Sequence, residues 1–195
     1  MKSKQPSKEM MKYLPHLTLA ERDRRWGQIR RKMILHGLDC LLLWGNDIFW
    51  DMGMVNFRYL THIGSKHGGF AIFPIEGDPV VFSAPPHINT PFSPYLSVQE
   101  WVQDIRPFTG LVKVVETMSE LGYERARVGV VGYGSALAMH SVTYRDYVRL
   151  MELMPKAVFT DATPLVEEMR LIKSAEEIGM LEKAGKIARK TIDAM

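Results

Sequence analysis

The run Asp39-Cys40-Leu41-Leu42-Leu43-Trp44 decides the architecture. Its apolar side chains are consecutive instead of alternating, so the strand it predicts is central and covered on both faces. Gly45-Asn46-Asp47 ends the run. Upstream, Thr18-Leu19-Ala20-Glu21 has the form of a capping box and opens a helix. Trp26, Ile29, Met33 and Ile34 give that helix an apolar face, and Gly37 is placed to stop it. Downstream, residues 69–74 and 79–83 predict two short strands joined by a turn at Ile75-Glu76-Gly77-Asp78.

The second half alternates. Residues 101–108 predict a strand, 111–121 a helix, 127–132 a buried strand, 141–154 a helix stopped by Pro155, and 157–160 a last strand. A short helix follows Thr163-Pro164. Strands joined by a tight turn at the front and alternating with helices later imply an α/β domain: a mixed sheet with helices on both faces. Residues 48–69, between the first strand and the hairpin, are irregular and rich in aromatic residues, Met, Gly and His, and predict a long connection. Residues 84–98 hold four more prolines and predict a second one.

At the end of the chain, Ser174-Ala175-Glu176-Glu177 is another capping box. From it Ile178, Leu181, Ala184, Ala188, Ile192 and Met195 recur at helical spacing. No Gly, Asn or Pro terminates the pattern, and such a stripe needs a partner surface. The expectation is a chain that forms the front of a longer protein or meets another chain there, and whose last helix self-associates or frays when isolated.

Composition narrows the function. The chain has 195 residues, 46% hydrophobic and 24% charged, with a net charge of +3. These values fit an ordinary globular domain. The single cysteine, Cys40, lies inside the apolar run and can form no internal disulfide, which excludes a disulfide-stapled secreted domain. Residues 1–17 read as a polar leader without the apolar centre of a signal peptide. No apolar run approaches the roughly 18 residues of a membrane span. The basic segment from Arg22 to Lys32 also carries Glu21 and Asp23 nearby and reads as a solvated helix face. No nucleic-acid partner is expected.

Chemistry-bearing patterns are few. His62, His67 and His87 form no HExxH, and there is no CxxC, so no metal site is expected in this chain. Gly132-Tyr133-Gly134-Ser135-Ala136 misses the Gly-x-Ser-x-Gly elbow, and no base or orienting acid is identified for Ser135. The connection carrying Trp50, Phe57, Arg58, Tyr59, His62 and His67 has two readings. In one, Arg58 offers its planar cationic fork to a carboxylate between apolar walls from Trp50 and Phe57. In the other, Phe57, Tyr59 and Leu60 pin the segment to the core and Arg58 makes a surface ion pair.

Asn56-Phe57-Arg58-Tyr59-Leu60-Thr61 after an apolar strand, followed by Phe70-Ala71-Ile72-Phe73-Pro74 and Pro79-Val80-Val81-Phe82, resembles the opening domain of the creatinase/prolidase/Xaa-Pro aminopeptidase family. Arg170-Leu171-Ile172-Lys173-Ser174-Ala175-Glu176-Glu177-Ile178 is similar to that family's junction into its catalytic domain. The resemblance implies a mixed α/β domain with a ribonuclease-H-like motif over residues 18–172. It implies a linker helix over 173–195 leading into an absent pita-bread catalytic domain. That domain would hold two divalent metal ions (Mn, Co or Zn), usually through two Asp, one His and two Glu. None of these ligands is matched here, so this chain carries no catalytic residue and no metal of its own.

Further implications are a cytoplasmic homodimer or higher homo-oligomer, a small peptide or small C–N compound as substrate, and no membrane partner. Phe57 and Arg58 match positions that lie toward substrate in some members, and Trp50 and His87 complete the substrate-proximal set. Ile178, Leu181, Ala188 and Ile192 would form the interface helix. His62 stands where the family often has Gly. The alternative from another class is a binding or assembly module, a pseudoenzyme with the same fold. A small stand-alone enzyme using Ser135 or the histidines is the least favoured reading.

Overall fold

The apolar run becomes β1 (Cys40–Gly45), buried along its whole length. The computed structural model describes residues 16–46, 52–64, 68–83, 100–134 and 142–195. In chain order β1 is preceded by α1 (Leu19–Leu35) and followed by a 3₁₀ turn (Met52–Met54), α2 (Val55–Thr61), β2 (Gly69–Pro74), β3 (Val80–Ser83) and β4 (Asp104–Pro107). Then come α3 (Leu111–Glu120), β5 (Arg127–Val131), α4 (Tyr144–Leu153), β6 (Val158–Asp161), α5 (Thr163–Leu171) and α6 (Ala175–Asp193). The strands form one six-stranded sheet in the order β4-β3-β2-β1-β5-β6. β1 pairs antiparallel with β2 and parallel with β5, so it joins the hairpin half to the alternating half.

Consecutive apolar residues on β1 serve two cores. Leu41 and Leu43 pack with Trp26, Ile29 and Met33 of α1, Phe57 and Leu60 of α2, and Val166 of α5. Cys40, Leu42 and Trp44 turn to the other face, where Val114 and Met118 of α3 and Leu150 of α4 cover them. The mixed sheet with helices on both faces is therefore present. Burial pushes the Cys40 thiol well above its ordinary range, consistent with an inert core residue. Gly77, with φ +84°, supplies the left-handed residue of the β2–β3 turn.

Several boundaries differ from the sequence pattern. The strand predicted over 101–108 shrinks to Asp104–Pro107, because Trp101 and Val102 leave the ladder to enter the core. The helix predicted from 141 begins at Tyr144, since Thr143 is its N-cap and its hydroxyl accepts from the Asp146 N–H at 3.2 Å. The Thr18 box is only half local. Thr18 Oγ1 accepts from the Glu21 N–H at 3.3 Å, but Glu21 does not reach back. Instead the Thr18 N–H donates to Glu176 at 2.7 Å.

On β5, a Cβ added at Gly129 would lie 2.7 Å from the Ala162 Cβ and 2.7 Å from Leu41 Cδ2. The close seating of β1 against the β6–α5 corner needs that missing atom. Gly129→Ala is expected to cost about 1–3 kcal/mol by overpacking, read from the midpoint of urea unfolding. An unchanged midpoint would mean that the corner has slack.

Candidate functional site

The aromatic connection is not a loop throughout. Residues 55–61 form α2, and Asn56, Phe57, Tyr59, Leu60 and Thr61 on it are all buried. A helix buried on nearly every side shows no polar face, so the 3.6-residue period is absent from its sequence. Room for it comes from glycine. A Cβ at Gly45 would sit 3.0 Å from Phe57 Cβ, and one at Gly69 would sit 3.1 Å from Phe57 Cζ. Phe57, 1% exposed, therefore fills the core and presents no wall to solvent. Arg58 is half-buried, and its guanidinium lies beside Gly64, where a Cβ would meet Nη2 at 3.0 Å.

His62 closes α2 in the left-handed region, φ +57°, with its N–H donating to the Arg58 carbonyl at 2.8 Å. Glycine is the residue that adopts this conformation without strain, which gives a physical reason for a Gly at this position. The His62 ring stacks on Trp101 with centroids 4.9 Å apart. Burial, then His16, Arg25 and Arg58, drive its pKa down to about 4, against a smaller opposing effect of Glu176.

Beside this stack lies a charge cluster that the basic composition of α1 concealed. Arg25 is 3% exposed, so the segment from Arg22 to Lys32 is not uniformly a solvated face. Its guanidinium is satisfied on all three nitrogens. Nε donates to Glu21 Oε1 at 2.7 Å, Nη1 to the Tyr59 carbonyl at 2.8 Å, and Nη2 pairs with Glu177 Oε1 at 3.2 Å. It also lies 4.0 Å from the Tyr59 ring centroid and 5.2 Å from that of Trp101. Arg24 grips Glu21 with two nitrogens, at 2.8 and 2.7 Å. Burial raises the Glu21 pKa, but the hydrogen bonds from Arg24 and Arg25 outweigh it and hold the carboxyl at about 2. The sequence did carry a signal: Glu21 and Arg25 stand at i,i+4, and Arg25 falls on the stripe of Ile29 and Met33.

The elements around the cluster are bound to one another. Trp26 Nε1 donates to the Leu60 carbonyl at 2.8 Å, Tyr59 Oη to the Met169 carbonyl at 3.3 Å, and Arg170 Nη1 to Asn56 Oδ1 at 2.7 Å. α6 carries no buried residue. Ile178, Leu181 and Ile192 are 48%, 60% and 71% exposed, and Ala188 is exposed with them.

Of the sequence-derived candidates, Phe57 and Arg58 lie on α2, and the four interface residues lie on the open helix. Trp50, His67, His87 and Ser135 fall outside the described residues. Among the described residues there is no group of three or more His, Cys, Asp or Glu that could hold a metal ion. No helix of the described residues is long and apolar enough to cross a membrane.

The family model of the creatinase/prolidase N-terminal domain matches residues 25–172. Among solved structures the fold is similar to the Xaa-Pro dipeptidase from Bacillus anthracis, at 20% identity and a TM-score of 0.62, over 89% of this chain and 42% of that one. It is also similar to the prolidase from Pyrococcus horikoshii OT3, at 19% identity and 0.60, over 88% and 42%. The N-terminal domain of the cytoplasmic peptidase PepQ from Mycobacterium tuberculosis H37Rv, solved by itself, matches at 15% identity and 0.55, over 74% and 97%. The chain thus spans about two fifths of the first two peptidase chains and nearly all of the third. No curated protein matches the sequence.

The depressed His62 pKa has a consequence for stability. The unfolded chain takes up a proton near 6.5 and the folded chain only near 4. His62 therefore contributes stability above pH 6.5 that is lost as pH falls from 6.5 to 4. Glu21 acts lower, between its ordinary 4.5 and about 2. In urea titrations over pH 7 to 4, His62→Asn, which tolerates the left-handed backbone and does not titrate, should lose less stability than the parent. Equal losses would place the acid sensitivity elsewhere.

Proposed function

The chain belongs to the creatinase/prolidase N-terminal domain family, and from that premise we propose that it is the non-catalytic front domain of a metal-dependent C–N hydrolase. The observation that carries the reading is the match over residues 25–172 to a domain that precedes a second one in longer peptidases of the same fold. In the parent, a following domain would hold two divalent ions (Mn, Co or Zn) that activate water for attack on a C–N bond. The described residues here do not fit such ions, so no catalytic step is assigned to them.

The domain's own contribution is structural. The apolar stripe of α6 and the surface beside it would contact the catalytic domain and a second subunit of a cytoplasmic homodimer or larger homo-oligomer. Arg58, half-buried on α2 among buried neighbours, would reach a substrate carboxylate. The small peptide or small C–N substrate belongs to this reading as well.

The test assays the 195-residue chain, and the same chain continued through its downstream coding sequence, on Xaa-Pro dipeptides with Mn²⁺. The short chain is expected to be inactive and the long one active. In the long one, Arg58→Ala should lower kcat/KM about 10- to 100-fold, the worth of a hydrogen bond to a charged group. Cleavage with kcat/KM unchanged by Arg58→Ala would remove Arg58 from the substrate wall. A long chain that cleaves nothing and lacks the Asp, Asp, His, Glu, Glu series would favour a binding pseudoenzyme.

A further inference from the structure

α6 is held to the rest of the domain by its first turn. Glu176 receives the Thr18 N–H on Oε1 at 2.7 Å and the Thr18 hydroxyl on Oε2 at 2.8 Å. Glu177 pairs with Arg24 Nη2 at 3.2 Å and with Arg25 Nη2 at 3.2 Å. The Glu177 Oε2 that meets Arg24 also accepts the Ser174 N–H at 2.8 Å, closing the capping box. One carboxylate thus both starts the helix and docks it. Residues 181–195 are all exposed, and the hydrogen bond and ion pair formed there, Thr191 to Ile187 and Arg189 to Asp193, stay within the helix. The preceding turn, Leu171 to Lys173, is exposed and supplies no apolar anchor.

We propose that Glu176 and Glu177 form a latch between the N-termini of α6 and α1 that sets the direction in which α6 leaves the domain. The two carboxylates grip two different groups of α1, the Thr18 cap and the Arg24–Arg25 pair. Together they fix both the position and the rotation of the first turn. A helix held by a single contact could pivot about it, whereas two separated contacts on one turn resist that motion. Since α6 has no buried residue and is exposed throughout from residue 181 on, releasing these contacts frees the helix as an arm hinged at Ile172–Lys173. A Gln in place of Glu177 can still complete a capping box, so Glu177→Gln loosens docking without unwinding the helix start. The inference rests on this geometry and does not depend on the proposed function.

Pulsed electron–electron distance measurements test it. Spin labels are placed at Lys113→Cys on α3 and Lys186→Cys on α6, both exposed, while buried Cys40 stays unlabelled. The labelled 195-residue chain should give one narrow distance distribution. Adding Glu176→Ala and Glu177→Gln should at least double its width, with helix content by circular dichroism unchanged. Glu176→Ala alone, which leaves the capping box intact, should give an intermediate width. A distribution in the double variant as narrow as in the parent, at the same mean distance, would overturn the proposal. Loss of helix content in the double variant, with Glu176→Ala alone as narrow as the parent, would also overturn it.

Discussion

A guanidinium cannot sit dry in a protein core unless every face and nitrogen of it finds a partner. Arg25 meets that demand only by drawing on three helices at once: Glu21 from its own α1, the Tyr59 carbonyl from α2, and Glu177 from α6. The Tyr59 and Trp101 rings approach its plane. Removing any one of these leaves buried charge uncompensated, which costs far more than a surface ion pair contributes. The positions of α2 and of the start of α6 are therefore consequences of where this cation lies. The apolar sheet core fixes the layers, and the charge cluster fixes how α2 and the start of α6 sit on one of them.

The parts of the fold governed by local rules were legible. β1 announced burial on both faces through unbroken apolar residues, and the hairpin through its turn composition. The Ser174 box forms as its residues require, with both reciprocal bonds present. What stayed hidden depended on partners far away in sequence. Thr18 completes its cap with Glu176, 158 residues on. Trp101 abandons the strand pattern to send its indole N–H to the Leu17 carbonyl at 3.1 Å and its ring to His62. α2 was invisible as a helix because burial on almost all sides erased its polar face. Pattern reading succeeds where one element meets one environment and fails where a residue answers to several.

The candidate site shows the same division. The motif around Arg58 was recognisable, but the two readings of Phe57 could be separated only by the glycines of neighbouring strands that accommodate its ring. The choice of His62 likewise gains meaning from backbone conformation, since the left-handed cap explains why a smaller residue suits the position. Functionally, α2 and the α5–α6 joint are bonded through Asn56, Tyr59 and Arg25, so Arg58 is carried by the same bonded unit from which α6 departs. A domain that both shapes a substrate wall and orients a neighbouring domain would have use for that arrangement.

The measurement that bears most directly on the primacy of the buried cation is the urea unfolding of Arg25→Met beside Glu21→Met/Arg25→Met. If Arg25 organises the three helices, the single variant, which leaves buried Glu21 to Arg24 and takes the cation from between α1, α2 and α6, should lose about 3–5 kcal/mol, and the double variant should recover a share of that. A single variant within about 0.5 kcal/mol of the parent, the range of an ordinary surface substitution, would contradict it.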